Sequence, residues 1–321
     1  MKVLVTGGEG FIGWRVCREL QQRGHTPLVI DRTQANGIIS STGPYDAMAI
    51  RDFINNNNIE VVCHLAAMVG GGRFLAQQEF TICHHNSEVD TEVMRGFGLS
   101  TARRLVYTSS SMVFQNGEEI CLEEQASSEA PTIPPPTNNY GFFKLAGERM
   151  AIMAGRTFNK EIVIGRPFNV YGPGEEMRLD KEFGNSHVIP DLFVKIKRVL
   201  DDSHPDQQLE IFGDGTQTRS FTHADETARA FALMCIKPEA AGQTYNVASN
   251  ENISIKALAQ MMSRMMGLRP EMKYLPAWHG DTVQRKPEPN KIMRELGWTC
   301  LIPFEMGLRR NIAWLEENQR Y

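Results

Sequence analysis

Tyr140 and Lys144 stand four residues apart in the stretch YGFFK. On a helix that spacing sets both side chains on one face. A phenol beside an ammonium is suited to base catalysis, because the positive charge favours phenolate and draws the tyrosine down from about 10 toward the working range. Such a tyrosine can take the proton of an alcohol. Upstream, residues 108–114 read TSSSMVF, with three serines that can offer hydroxyls to a reacting oxygen. Met112 follows them, and a thioether has no proton to exchange at neutral pH.

A third constellation lies near the amino end. Thr6-Gly7-Gly8-Glu9-Gly10-Phe11-Ile12-Gly13 joins a strand-like stretch to a helix-like one. Gly8, Gly10 and Gly13 satisfy G-x-G-x-x-G in the context that pattern requires. The glycines permit a tight turn, close approach of a pyrophosphate and close helix–strand packing, and the helix start supplies oriented N–H groups. Asp31 closes the second strand and can accept the hydroxyls of an adenosine ribose. A carboxylate there disfavours a 2′-phosphate, which selects NAD over NADP, while Arg32 beside it pulls the other way.

These residues need elements to hold them. Strands are expected at Lys2–Thr6, Thr26–Asp31, Val61–Ala66, Arg104–Ser109 and Glu161–Arg166. Helices are expected at Ile12–Arg23, ending at Gly24, and at Asn139–Ala154. Near-continuous apolar strands separated by helices imply an α/β chain with a doubly wound parallel sheet covered on both faces. The second half is less regular. Residues 172–187 and 200–208 read as polar loops, 129–137 as a proline-rich loop, and Ile253–Met266 and Ile302–Glu317 as helices.

The bulk numbers exclude several classes. The 321 residues are 41% hydrophobic with a net charge of −4. That suits one large unit or two joined lobes, and gives no basic field for nucleic acid or an anionic membrane. An anionic ligand would need a local cluster of arginines. The six cysteines include no C-x-x-C pair, which argues against zinc and a disulfide framework and fits a reducing compartment. Cys83-His84-His85 has no second cluster to complete a metal set. No secretory signal and no apolar run of about 18 residues is visible, so a cytoplasmic protein is expected.

Taken in order, TGGEGFIG, Asp31, HLAA (64–67), TSSSMVF, YGFFK, RPFNVYGPG (166–174), FGDGTQTRSFTHAD (212–225) and ELGW (295–298) resemble the extended short-chain dehydrogenase/reductases, specifically their NAD-dependent sugar-nucleotide epimerase/dehydratase group. The resemblance spans nearly the whole chain. It implies a Rossmann-type domain over 1–171, with a return segment about 220–248, and a smaller mixed α/β lobe over 172–219 and 249–321 that holds a nucleoside-diphosphate sugar. It implies a homodimer through a helix bundle that includes the Tyr-Lys helix. It assigns Ser110, Tyr140 and Lys144 to catalysis, with Ser111 at the substrate. Gly7, Gly10, Phe11, Ile12, Gly13, Asp31, Arg32, Leu65, Ala66, Ala67, Tyr140 and Lys144 line the cofactor. Arg219 and Arg285 match arginines of the substrate diphosphate, whose oxygens suit a guanidinium fork. Glu288 would meet the ribose, and Asn169, His187 and Val188 the substrate. The adenine-side Asp of the family has no counterpart in SSTGPYD (40–46), where Asp46 comes too late.

Members of the group begin alike: the tyrosine takes the C4 hydroxyl proton while hydride passes to NAD, leaving a 4-keto sugar. Dehydratases, decarboxylating members and 3,5-epimerising members carry further acid/base groups where Ser111 and Met112 stand. A 4-epimerase needs only the serine, tyrosine and lysine, and is the lead expectation. A 4-keto-sugar reductase or 3,5-epimerase/reductase is the alternative. In fucose synthases of the group the histidine matching His187 is an acid, and elsewhere it only touches the diphosphate. A non-catalytic NAD-sensing subunit is a third reading, which the intact Tyr-Lys pair disfavours.

Overall fold

The computed structural model describes residues 1–31, 45–114, 120–121, 138–175, 184–199, 208–277 and 284–318. Six strands, β1 (Lys2–Thr6), β2 (Thr26–Ile30), β3 (Val61–His64), β4 (Arg104–Thr108), β5 (Glu161–Pro167) and β6 (Thr244–Val247), form one parallel sheet in the order β6-β5-β4-β3-β1-β2. The helices, in chain order, are α1 (Gly13–Gln22), α2 (Ala47–Asn57), α3 (Gly72–Gln77), α4 (Glu79–Gly98), α5 (Asn139–Phe158), α6 (Val188–Val199), α7 (Ala224–Ile236), α8 (Ile255–Met265), α9 (Asn290–Leu296) and α10 (Phe304–Glu317).

Alternate strand residues serve opposite layers, as a two-residue period requires. Val3, Val5, Val61, Cys63, Val106 and Val163 pack with Val16 and Leu20 of α1 and with Ala228, Phe231 and Met234 of α7. Leu4, Val62, Leu105, Tyr107, Ile162 and Ile164 pack on the other side with Ile50 and Ile54 of α2, Val89, Val93 and Phe97 of α4, and Ala151 of α5. Both faces are covered, which is why the strands read as unbroken apolar runs.

A third core lies apart from the sheet. Leu192, Phe193 and Ile196 of α6 meet Leu258 and Met262 of α8, Leu308 and Ile312 of α10, and Leu209 and Ile211 of the strand Gln208–Phe212. Each large apolar side chain buried here contributes roughly 1.5–3 kcal/mol before entropy is counted.

Several boundaries shift from the sequence reading, mostly by one or two residues, and two of the shifts have a clear physical cause. Helix α8 starts at Ile255 rather than Ile253, because Asn252–Ser254 is a strand paired antiparallel with Thr218–Ser220. Ser254 then caps the helix, its Oγ accepting from Ala257 N–H at 3.1 Å. Helix α5 runs past Ala154 to Phe158, where Asn159 turns left-handed at φ 53°. Residues 131–137 of the proline-rich loop lie outside the described residues, as do 129–130. Among the described residues no helix is long and apolar enough to cross a membrane.

Candidate active site

The chain leaves β1 for β2 on one side of the sheet and returns to β3 on the other. That reversal opens a crevice at the carboxyl ends of β1 and β3, the place where doubly wound folds bind ligands. The glycine loop lies there. Gly7 has φ +68°, and a Cβ on it would stand 2.9 Å from Ala66 Cα. A Cβ on Gly13 would stand 2.0 Å from Gly7 O. Gly10 N–H closes the turn onto Gly7 O at 3.1 Å. Phe11 and Ile12 lead into α1, with Ile12 at its N-cap.

The neighbouring residues are drawn onto this loop. Glu9 N–H donates to Asp31 Oδ2 at 3.0 Å, which fixes the carboxylate beside the glycines. Leu65 N–H reaches Thr6 O at 3.2 Å, and Ala66 N–H reaches Thr6 Oγ1 at 3.4 Å. Ala67 follows, exposed. Arg32 lies outside the described residues. A cradle that side chains would fill, opening on a helix start with a carboxylate at its rim, fits a dinucleotide such as NAD. Asp46 is not part of it: its carboxylate accepts from Met48 and Ala49 N–H at 2.8 Å and caps α2.

Tyr140 and Lys144 occupy the first turns of α5. Asn138 caps that helix, its Oδ1 accepting from Gly141 N–H at 2.6 Å. Lys144 is buried and donates to Thr108 O at 3.0 Å. Tyr140 shares a cavity about the size of one water with Cys83, Asn86, Ser87, Asp90, Phe143 and Lys144. The spacing predicts a lowered phenol, and the surroundings of Tyr140 act in the opposite direction. Burial first, then the charge of Asp90 and the Cys83 thiol, push the Tyr140 phenol above its ordinary range rather than below it. Lys144 points its ammonium at a carbonyl and over the Tyr107 ring, 5.1 Å from its centroid, so the pair by itself does not make a phenolate.

The three serines separate. Ser109 Oγ bonds the Glu148 carboxylate inside the core. Ser110 caps a 3-10 turn over Ser111–Val113, its Oγ accepting from Met112 N–H at 3.1 Å, while Ser111 is buried. The turn docks on α5 through Met112. Asn138 Nδ2 donates to Met112 O at 3.3 Å, and a Cβ on Gly141 would stand 2.0 Å from that oxygen. The half-buried Ser110 hydroxyl is thereby held against the helix that carries Tyr140.

The substrate candidates gather in two places. Thr218 bridges Gln284 in parallel, which sets Arg219 and Arg285 side by side in register. Arg285 is buried, and Glu288 keeps a buried Oε1 without a hydrogen-bond partner among the described residues. Asn169, at φ 29°, donates to Ser220 O at 3.0 Å, next to Arg219. His187 stands elsewhere, in a loop pinned to residues 71–73: Gly71 N–H donates to Asn185 O at 2.8 Å and Arg73 N–H to Gly184 O at 3.1 Å. Its Nδ1 lies 2.6 Å from Oε1 of the buried Glu175, and Val188 opens α6 behind it.

Sequence reasoning missed three acids: Asp90, Glu148 and Glu175. Glu148 falls four residues after Lys144, so the Tyr140–Lys144 spacing continued one step would have found it. It forms a bidentate pair with Arg166, at 2.8 and 2.7 Å, with both side chains 1% exposed. Asp90 accepts from Tyr107 OH at 2.6 Å and contacts His64 Nε2 at 2.9 Å. Burial alone would raise Asp90, but Lys144 and the bonds from His64 and Tyr107 hold it below the ordinary carboxylate range.

Known proteins resemble this chain across nearly its whole length. The GDP-L-fucose synthase of Escherichia coli (strain K12) is 25% identical over 333 aligned positions, covering 99% of this chain and 97% of that enzyme. The UDP-glucuronate 4-epimerase of Thermodesulfobacterium geofontis (strain OPF15) is 27% identical, covering 98% and 96%. The UDP-glucose 4-epimerase of Thermotoga maritima, solved with UDP-glucose, shares the fold at a TM-score of 0.81 and 21% identity over 99% of each chain. Residues 3–248 match the NAD dependent epimerase/dehydratase family; the chain belongs to it, as an enzyme with NAD as its cofactor.

Proposed function

We propose that the protein is a nucleotide-sugar 4-epimerase. The carrying observation is the Ser110 turn locked onto the Tyr140 helix by the backbone of Met112. That position contributes a carbonyl to packing and no acid or base to chemistry. NAD, held by the glycine loop and Asp31, would supply the hydride acceptor and donor for C4. Tyr140 takes the C4 hydroxyl proton and later gives it back. Ser110 orients that hydroxyl, and Lys144 supplies positive charge beside the phenol. Arg219 and Arg285 grip the diphosphate, with Glu288 at the ribose and Asn169 nearby, so that the sugar can turn while its nucleotide stays fixed.

The test is incubation with UDP-, GDP-, dTDP- and CDP-sugars. A product of unchanged mass with C4 inverted is expected. Loss of water or carbon dioxide, or stoichiometric oxidation of NADH or NADPH by a 4-keto sugar, overturns the reading. One observation favours a second reading, 3,5-epimerase/reductase: an imidazole bonded to a buried carboxylate, as His187 is to Glu175, is an acid/base dyad beyond the needs of C4.

Residues 1–171 with 220–248 would form the dinucleotide domain and the remainder the sugar-nucleotide lobe. Cys17, Cys63, Cys83, Cys235 and Cys300 are free thiols, which suits a reducing cytoplasm. A homodimer through α4 and α5 fits the exposed Phe80, Phe142, Phe143 and Met153 on those helices, and light scattering of the purified chain tests it.

A further inference from the structure

We propose that Asp90 is a positioning residue of this site: through His64 and Tyr107 it couples the glycine loop to the Tyr140–Lys144 pair, and its carboxylate lines the cavity in which Tyr140 must act. The proposal rests on the reading of Tyr140 as the base.

One register row crosses the sheet. Thr6 of β1 pairs with His64 of β3, and His64 with Tyr107 of β4. All three side chains leave the same face, toward α4 and α5. His64 Nδ1 lies 2.7 Å from Thr6 Oγ1, and its Nε2 lies 2.9 Å from Asp90 Oδ1. Tyr107 OH donates to Asp90 Oδ2 at 2.6 Å. Each carboxylate oxygen is therefore held, and the acid is only 4% exposed. Helix α5 closes directly over the group. A Cβ on Gly147 would stand 2.1 Å from Tyr107 OH and 3.0 Å from Asp90 Oδ2.

Both ends of this network reach functional parts. Thr6 precedes Gly7 and accepts from Ala66 N–H, so it belongs to the dinucleotide cradle. Asp90 lines the cavity that Tyr140 and Lys144 line. The titratable groups facing it are His64 from β3, Tyr107 from β4, and Tyr140 and Lys144 from α5, with Cys83 sharing the cavity from α4 itself. Among the described residues no ammonium bonds the Asp90 carboxylate, and charge removed from water demands compensation. Here two hydrogen bonds and the field of Lys144 compensate it. The remaining field acts on the phenol and disfavours phenolate. Tyr140 then keeps its proton until further positive charge arrives at the site, which ties proton abstraction to a loaded cradle.

The experiment follows tyrosine ionisation by ultraviolet absorbance in the full-length protein after its dinucleotide has been stripped. Subtracting the Tyr140→Phe form of each protein isolates Tyr140. In the wild type, Tyr140 is expected to ionise above the ordinary tyrosine value of about 10. In Asp90→Asn, which keeps the shape and removes the charge, ionisation is expected at a proton concentration tenfold or more higher. The rising limb of turnover against pH should move the same way, and Asp90→Glu should restore the wild-type position. An Asn variant that titrates with the wild type overturns the proposal. So does a wild-type Tyr140 that ionises at or below 10, a measurement that needs no Asp90 variant to fold. Full turnover by Tyr140→Phe would overturn the base reading instead, and the titration would still decide the coupling.

Discussion

The backbone carbonyl of Met112 and the α-carbon of Gly141 are in direct contact, so that a Cβ at Gly141 would stand 2.0 Å from the oxygen. This contact joins the serine turn to the tyrosine helix. It uses the backbone of Met112, whose side chain is left half-buried beside it.

Gly141→Ala should therefore push the Ser110 turn off α5. A displacement near 1 Å at a reacting centre costs on the order of 100-fold in rate. We expect kcat to fall by about that factor while dinucleotide retention, read by absorbance of the released cofactor, is unchanged. Met112→Ala should keep most of its turnover, because its N–H bond to Ser110 and its carbonyl contact both survive. Loss of hydride transfer in Met112→Ala with intact sugar binding would refute this account.

The sheet was legible because β1, β3 and β4 are buried on both faces and read as apolar runs. The Tyr140–Lys144 helix and the glycine loop were legible because their chemistry depends on short spacings. Helix α4 was not. It carries Asn86 and Asp90 on its buried side among Val89, Val93 and Phe97, which blurs the apolar stripe. The strand Asn252–Ser254 was absorbed into the following helix because its partner, Thr218–Ser220, is remote in sequence. The direction in which burial and Asp90 push the Tyr140 phenol is illegible for a similar reason. The near cation was visible in the sequence, and the acid from another helix was not.

Glu148 and Arg166 form a buried bidentate pair that Ser109 joins, and Arg166 lies 5.3 Å from the Phe114 ring centroid. Removing one partner of such a pair strands a charge away from water, at a cost of about 3–5 kcal/mol. Glu148→Gln should lower the unfolding free energy by roughly that amount in a denaturant titration. A change under about 1 kcal/mol would show that Arg166 finds another acceptor.

Arg219 and Arg285 stand in register, so each should serve a bound diphosphate without touching the reacting carbon. A charge-assisted bond contributes about 1.5–3 kcal/mol, or about 10- to 100-fold in affinity. Arg219→Ala and Arg285→Ala should each raise KM for the nucleotide sugar within that range and change kcat little. Lysine at either position should rescue only in part, since it lacks the planar fork. A variant that lowers kcat at unchanged KM would remove that arginine from the diphosphate.

Asp90 gives the fold a specific acid sensitivity. Its folded-state carboxyl is held below the ordinary value by Lys144, His64 and Tyr107, against the opposing effect of burial. A depressed carboxyl stabilises the folded state above its unfolded value of about 3.9, and the contribution is lost as pH falls through the folded value. Stability should therefore decline below about pH 4, where protonation would also disturb the bonds to His64 and Tyr107. Asp90→Asn lacks this proton linkage. Its unfolding free energy, measured by denaturant titration from pH 3 to pH 7, should fall less steeply on the acid side than that of the wild type. Parallel curves across that window would mean that the acid limb belongs to other carboxylates.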